Sequence, residues 1–315
     1  MANADLATAL LGNERSFVRP DRRTFRQRSS GAAINLFYLP ALALFALFTI
    51  YPFVSGIGLS FTNWDGYSVE RDNVGLANYT RLFDDPTFAV VLRNTLVYGI
   101  GSTLFQQVLG LGLALALVRS TNSRKLVRTL VYLPALVSPV IMGTMYYLLF
   151  QYNNGAFNDV VGLFGRGPVA WISEANTAIA IIVAVNTLQF VGISMIIYLA
   201  GLGSIPITYY EASTIDGATT WQQFRHITVP LLQPAFATSI ILNLIGGLKL
   251  FDVIQVLTGG GPGYSTNSVS TLIGKTYFNN QSAGYAATMG VFLFLLIMVI
   301  SVVTNALLNR RRVDA

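Results

Sequence analysis

The side chains able to do chemistry in this 315-residue sequence are few, and most sit inside long apolar runs. Lys249 and Asp252 are three residues apart, a spacing that makes them neighbours on one helical face. A charge held in hydrocarbon costs about 3 kcal/mol at a helix centre, so such a pair faces a partner or a water-filled cavity. Three roles stay open for it: lining a polar path, forming a structural ion pair or, for Lys249, snorkelling to the outer interface. Gln106, Gln107, Asn186, Gln189 and Asn243 add uncharged hydrogen-bonding groups in similar surroundings, where ties between helices are their commoner use. Tyr146, Tyr147, Phe190 and Phe251 offer aromatic faces that can stack on a ring or pack against neighbours.

The signals of an enzyme fail. Gly274-Lys275-Thr276 imitates the end of a phosphate-binding loop, but Val269 occupies the position of its first glycine. Gly259-Gly260-Gly261-Pro262-Gly263 reads more simply as a flexible exit from the segment before it. His226, the single histidine, has no acidic or metal-ligating neighbour at useful spacing. Cysteine is absent, which excludes disulfides and thiolate metal sites. No catalytic residues, metal site or cofactor are expected.

The elements that position these residues follow from composition. Hydrophobic residues make up 53% of the chain and charged residues 11%, under half the ~25% of a soluble domain. No acidic or basic residue occurs between Arg28 and Asp65, Arg93 and Arg119, Arg128 and Asp159, Glu174 and Glu211, or Lys275 and Arg310. Each gap can supply the ~20 apolar residues that cross a bilayer. Backbone groups in hydrocarbon must be paired internally, and no stretch alternates as a barrel strand would, so the spans are helices. Six are predicted: Ile34–Ile57, Thr95–Val118, Leu130–Phe150, Thr177–Ala200, Ala235–Leu257 and Ala286–Leu308. The fold class is all-α integral membrane. The membrane-spanning domain covers 34–309, between basic tails at 1–33 and 310–315.

Fourteen Lys and Arg residues fall on the side of the termini and five on the other, which places both termini in the cytoplasm. The excess behind the net charge of +6 sets orientation, and no nucleic-acid partner is implied. Arg22-Arg23-Thr24-Phe25 resembles a twin-arginine signal, yet the apolar run after it is too long and no small-residue cleavage pattern follows. The first span is read as uncleaved.

The one long cytoplasmic connection, 201–234, carries local structure signals. Ser204 can cap a helix with Pro206 in its first turn, running through Tyr209, Tyr210, Glu211 and Ala212. Asp216-Gly217 breaks it, with Gly supplying positive φ. Thr219 and Gln222 form a capping box for a second helix, whose Trp221, Phe224 and Ile227 make one apolar stripe and which Pro230 ends. A membrane-surface amphipathic helix would be rich in Lys and Arg, and this one has only Arg225.

Glu211-Ala212-Ser213, Asp216-Gly217-Ala218, Ile227 and Pro230 together resemble the EAA loop of membrane subunits of binding-protein-dependent ATP-binding-cassette (ABC) importers. Ser213 and Val229 depart from that pattern by small swaps. Lys249-Leu250-Phe251-Asp252 and Leu257-Thr258-Gly259-Gly260-Gly261-Pro262 look like the carbohydrate branch, the oligosaccharide and glycerol-3-phosphate permeases. Gly75-Leu76-Ala77-Asn78-Tyr79 and Gly284-Tyr285-Ala286-Ala287 fit as well, and the resemblance covers the whole membrane part. It implies a type I importer permease fold (MetI-like) in a bacterial inner membrane. It also implies a heterodimer with a second homologous permease, two cytoplasmic ATPase subunits and an extracytoplasmic sugar-binding protein.

Coupling to the ATPase is then expected at Glu211, Ala212, Asp216, Gly217, Ala218, Trp221, Phe224 and Pro230, with Trp221 or Phe224 anchoring the loop to the bundle. The substrate pathway is expected at Lys249, Phe251, Asp252, Asn186, Gln189, Tyr147 and Asn243. The competing readings are an ion-coupled secondary transporter, which should show coupling residues and often an inverted repeat, and an ABC permease for a non-carbohydrate solute.

Overall fold

Uncharged length decides where the helices lie, and prolines and glycines decide where they bend. A computed structural model describes residues 30–119 and 121–309. The arginines at 15–28 and 310–312, which carry much of the orientation count, and the twin-arginine resemblance lie outside the described residues. The chain divides into two units, 1–53 and 54–315. The boundary falls within helix α1, Tyr38–Leu59, which has every side chain from Tyr38 to Phe53 exposed, as an all-round apolar helix bathed in lipid would.

The second unit holds the bundle. Its helices are α2 (Ala77–Asp84), α3 (Pro86–Leu117), α4 (Asn122–Leu136), α5 (Pro139–Leu149), α6 (Ala156–Leu163), α7 (Ala175–Ser204), α8 (Ile207–Ile215), α9 (Thr220–Leu231), α10 (Gln233–Leu248), α11 (Asp252–Leu257), α12 (Val269–Phe278) and α13 (Ala283–Asn309). Four helices, α1, α3, α7 and α13, are long and apolar enough to cross a membrane alone. Two bent pairs, α4–α5 and α9–α10, make up to six if each pair counts as one span.

Helix α7 is central, packed on α3, α4 and α10. Small residues make the crossings close: a Cβ on Gly110 would lie 2.6 Å from Ser194 Cβ, and one on Gly192 would lie 2.6 Å from Val131 O. Without a hydrophobic drive inside lipid, such contact supplies much of the packing energy. One buried cluster joins Tyr98, Ile182, Val253, Ile254 and Leu257; another joins Leu82, Phe88, Val91, Leu272 and Met289.

Two predicted spans are not straight. The third, expected as one helix over Leu130–Phe150, starts at Asn122 and bends by 98° between α4 and α5. Pro139 forces the break: it lacks an N–H, and the residue before it is pushed out of the helical region, as Ser138 shows with ψ 133°. The fifth, expected over Ala235–Leu257, stops at Leu248. Lys249 (φ −100°, ψ 19°) and Phe251 (φ −130°, ψ −61°) leave helical geometry, and α11 restarts at Asp252. Lys249 and Asp252 therefore do not share a helical face. They cap opposite sides of a break.

Three local readings also change. Ser204 ends α7, its hydroxyl donating to Gly201 O at 2.7 Å, and Pro206 immediately precedes α8 with no side-chain cap. Pro230 does not end the second arm, which continues to Leu231 before a 63° bend into α10. A wide turn over Phe224–Thr228, closed by Val229 N donating to Phe224 O, makes room for the ring of Pro230. The glycine-rich stretch after α11 is not a flexible exit: Thr266, Asn267 and Ser268 within its loop are fully buried.

Candidate functional site

Two regions redirect the chain where the sequence places its chemistry: an elbow at 205–231 and a plug at 249–268. The elbow is a helix, a tight reversal and a second helix. Its reversal is a Schellman motif: Ala218 N donates to Ser213 O (2.9 Å) and Gly217 N to Thr214 O (3.1 Å), with Gly217 at φ +78°. The predicted capping box forms next, Thr219 N donating to Gln222 Oε1 at 2.7 Å and Gln222 N to Thr219 Oγ1 at 3.4 Å. Both helix ends at the turn are thus capped by partners within six residues.

The two arms are then stapled. Gln223 Nε2 donates to Ser213 Oγ (3.0 Å) and Thr214 Oγ1 (2.9 Å), and the Tyr210 and Thr228 hydroxyls meet at 2.9 Å. Ser213, a departure from the family pattern, thus supplies one of the acceptors that join the arms. Sequence reading missed Gln223 and Tyr210. Polar residues facing each other across a predicted turn were the available signal.

Glu211, Ala212, Asp216 and Gly217 are exposed, and Ala218 is half-buried. Ile215 is 87% exposed at the tip, an uncommon place for a large aliphatic side chain without a partner. Trp221 is 65% exposed and stacks on half-buried Phe224 with ring centroids 5.5 Å apart; it does not reach back into the bundle. Pro230 is half-buried. A concavity of about 370 Å³ opens between the arms, lined by Asp216, Gly217, Ala218, Gln222, His226 and Ile227. His226 is exposed, its Nδ1 3.0 Å from Gln222 O.

The plug begins where α10 stops. The sixteen residues of α10 rise about 24 Å, less than the ~30 Å of a hydrocarbon core. Each charge sits at a helix end of opposite partial charge, Lys249 at the C-terminus of α10 and Asp252 at the N-terminus of α11. No ion pair joins the two. The carbonyl freed at Leu250 accepts Ser268 Oγ at 2.6 Å. Phe251 is 40% exposed.

The loop that follows folds on itself and on α3. Thr258 and Thr266 hydroxyls meet at 2.8 Å, and Thr266 Oγ1 donates to Gly261 O at 2.8 Å. From α3, Asn94 Nδ2 donates to Ser265 O (2.7 Å) and Tyr98 Oη to Thr266 O (2.8 Å), while Thr95 Oγ1 accepts from Val269 N (2.9 Å). Gly260 is obligatory here, with φ +82° and Asn267 Oδ1 only 1.9 Å from where a Cβ would stand.

The other candidate residues lie apart from the break. Gln106 Nε2 donates to Asn186 O (3.0 Å), Gln189 Nε2 to Val137 O (3.2 Å) and Asn243 Nδ2 to Ser194 Oγ (2.6 Å), all buried between helices. Tyr198 Oη donates to Gln107 Oε1. Gln189 also satisfies the carbonyl that the Pro139 bend releases. Tyr147 is exposed on α5, whereas Tyr146 packs against the core.

Apolar helices long enough to cross a membrane, a stiff hairpin of helices between α7 and α10 and a break at 249–251 make up a helical membrane subunit. Residues 108–313 match the family described as "Binding-protein-dependent transport system inner membrane component". The chain is 35% identical over 279 residues to the probable starch degradation products transport system permease protein of Thermoanaerobacterium thermosulfurigenes, covering 89% of this chain and 94% of that one. It is 32% identical over 268 residues to the trehalose/maltose transport system permease protein of Thermococcus litoralis, covering 85% and 90%. Among solved structures, the bacterial alginate ABC transporter in complex with alginate pentasaccharide-bound periplasmic protein aligns with a TM-score of 0.77 at 27% identity, over 89% of this chain and 94% of that one. This chain belongs to the binding-protein-dependent transport system inner membrane component family. It is a multi-pass, non-catalytic permease subunit of an ABC importer served by a substrate-binding protein.

Proposed function

We propose that this subunit forms half of a carbohydrate pathway across a bacterial inner membrane and is moved by ATPase subunits that grip its elbow. The second half is a homologous permease, and a sugar-binding protein delivers solute from outside. The carbohydrate class is supported by relatives named for starch products and for trehalose and maltose, which this chain matches over most of its length. The coupling role rests on one observation: two helices locked by a Schellman turn, a capping box and Gln223 present Glu211 and the bare Ile215 away from the bundle. A lever must be stiff between its ends, and its tip must offer area to bury.

The pathway falls at Lys249, Phe251, Asp252 and Tyr147, where unwound or exposed positions offer charge and aromatic faces. Asn186, Gln189 and Asn243 serve it indirectly, as buried ties between helices. ATP-driven closure of the motor favours one orientation of the bundle, and a ligand shifts such a balance only through differential affinity for the two states.

The test is reconstitution of the complete transporter with its binding protein in liposomes. ATP-dependent uptake of a neutral saccharide, lost when a cysteine at Glu211 is cross-linked to the ATPase, is the expected result. Uptake by this chain alone on an ion gradient would sink the reading.

A further inference from the structure

At the end of the bundle opposite the elbow, α2, the start of α3, the turn after α12 and the start of α13 enclose a pocket of about 340 Å³. That is the small end of the range for ligand sites. Its chemistry differs from the rest of the surface. Arg81 Cζ lies over the Tyr285 ring, 4.2 Å from the centroid, and Tyr285 Oη donates to Asp85 Oδ2 at 3.1 Å. Asp85 Oδ1 meanwhile accepts Thr87 N at 2.8 Å, so the carboxylate is held at both ends. Asn280 and Gln281 complete the rim, and Gln281 keeps φ +48°, a conformation that side-chain-bearing residues rarely adopt. Tyr264 closes the pocket, with Lys275 Nζ 5.4 Å from its ring centroid and pushed below the ordinary lysine value by burial.

The guanidinium of Arg81 and the amides of Asn280 and Gln281 have no hydrogen-bond partner in the protein among the described residues. Together with Asp85 they are planar groups, which offer paired donors and acceptors at the spacing of adjacent hydroxyls. Tyr264, 42% exposed, supplies a face for the apolar side of a ring. The fixed carboxylate repels an anion such as phosphate, and the cations discourage an amine. The pocket also backs onto the plug through a single helix, since α12 turns Leu272 and Thr276 towards it and Gly274 towards Phe251.

We propose that this pocket is a second saccharide subsite, distinct from the broken fifth span, that takes one neutral hexose ring at the extracytoplasmic end. It rests on the carbohydrate reading above. The ring would be held by Arg81, Asp85, Asn280 and Gln281 and would lie against Tyr264.

The experiment uses the complete transporter in lipid nanodiscs without its binding protein, probed by saturation-transfer NMR with glucose, maltose, glucuronate and inorganic phosphate. Glucose and maltose are expected to bind. The double variant Asn280→Ala/Gln281→Ala should weaken binding about 10-fold, the size of losing one or two hydrogen bonds. The double variant should not move the unfolding midpoint. Stronger binding of glucuronate or phosphate than of glucose overturns the neutral class. Loss of affinity for the binding protein, with saccharide binding intact, assigns the pocket to that protein and overturns the proposal. Uptake of maltose by the transporter with its binding protein, alongside saccharide binding indifferent to the double variant, overturns the subsite alone. Uptake of no saccharide at all sinks the carbohydrate reading with it.

Discussion

The elbow and the plug each reverse the chain through a glycine at positive φ, yet they are held in opposite ways. The elbow is tied by bonds between residues no more than 18 apart, the longest joining Tyr210 to Thr228, and its Gly217 faces open space. The plug is tied by bonds that cross 168 to 174 positions, from Asn94, Thr95 and Tyr98 to the loop, and its Gly260 is buried. A self-contained element can move as one body while the bundle rearranges. A segment fastened to another span must move with that span. The difference fits a lever at one end and a fixed wall of the pathway at the other.

Gly260→Ala gives the largest expected effect. The added Cβ meets Asn267 Oδ1, and φ +82° is itself unfavourable for alanine, so the loss is about 3 kcal/mol. Thermal unfolding in detergent checks it, with a midpoint drop and poor recovery of folded subunit as the outcome. An unperturbed midpoint would mean that the plug is looser than its bonds indicate.

Gly217→Val ranks second and should act in a different place. Nothing lies within 4 Å of the added Cβ, so the effect is confined to about 1 to 2 kcal/mol of turn conformation. Global stability should change little, while ATP hydrolysis by the assembled transporter continues and uptake falls. Parallel assays of hydrolysis and uptake in liposomes separate the two. Equal loss of both, or of neither, would erase the contrast between lever and wall.

Tyr98→Phe follows. It removes the hydroxyl that donates to Thr266 O and keeps the ring in its cluster, an effect of about 1 kcal/mol for a bond between spans. Hydrogen exchange in the 258–268 loop should rise more than exchange in the elbow.

The same contrast explains what the sequence made legible. The elbow was readable because its determinants are local: Asp216-Gly217 for the turn, and Thr219 with Gln222 for the restart. The bend at Pro139 was in plain view as Ser138-Pro139 but hidden by unbroken hydropathy, which registers lipid compatibility and not backbone direction. The break at Lys249 carried no proline. Only its two charges marked it, and their three-residue spacing suggested a shared helical face because continuity of the helix was assumed. What meets the freed Leu250 carbonyl is Ser268, in a stretch whose backbone is held by Asn94, Thr95 and Tyr98 of α3, a partnership that spacing along the chain cannot show. Ser213 had looked like a tolerated swap until Gln223 proved to need its oxygen.

Lys249→Gln is the smallest perturbation and the sharpest test of which part of the plug touches solute. Lys249 is exposed, makes no ion pair with Asp252 and ends α10, so its removal forfeits only a favourable helix-end charge of about 0.5 kcal/mol. The unfolding midpoint of Lys249→Gln should therefore match the parent within error, in contrast to Gly260→Ala a few residues along. On the proposed pathway uptake should fall all the same, because the exposed side chain would meet solute without supporting the fold. Lys249→Arg, which keeps the charge on a longer side chain, should restore part of it. If Lys249→Gln instead blocks insertion or assembly, the residue belongs with the buried ties of α3, and the exposed edge of the break has no part in transport.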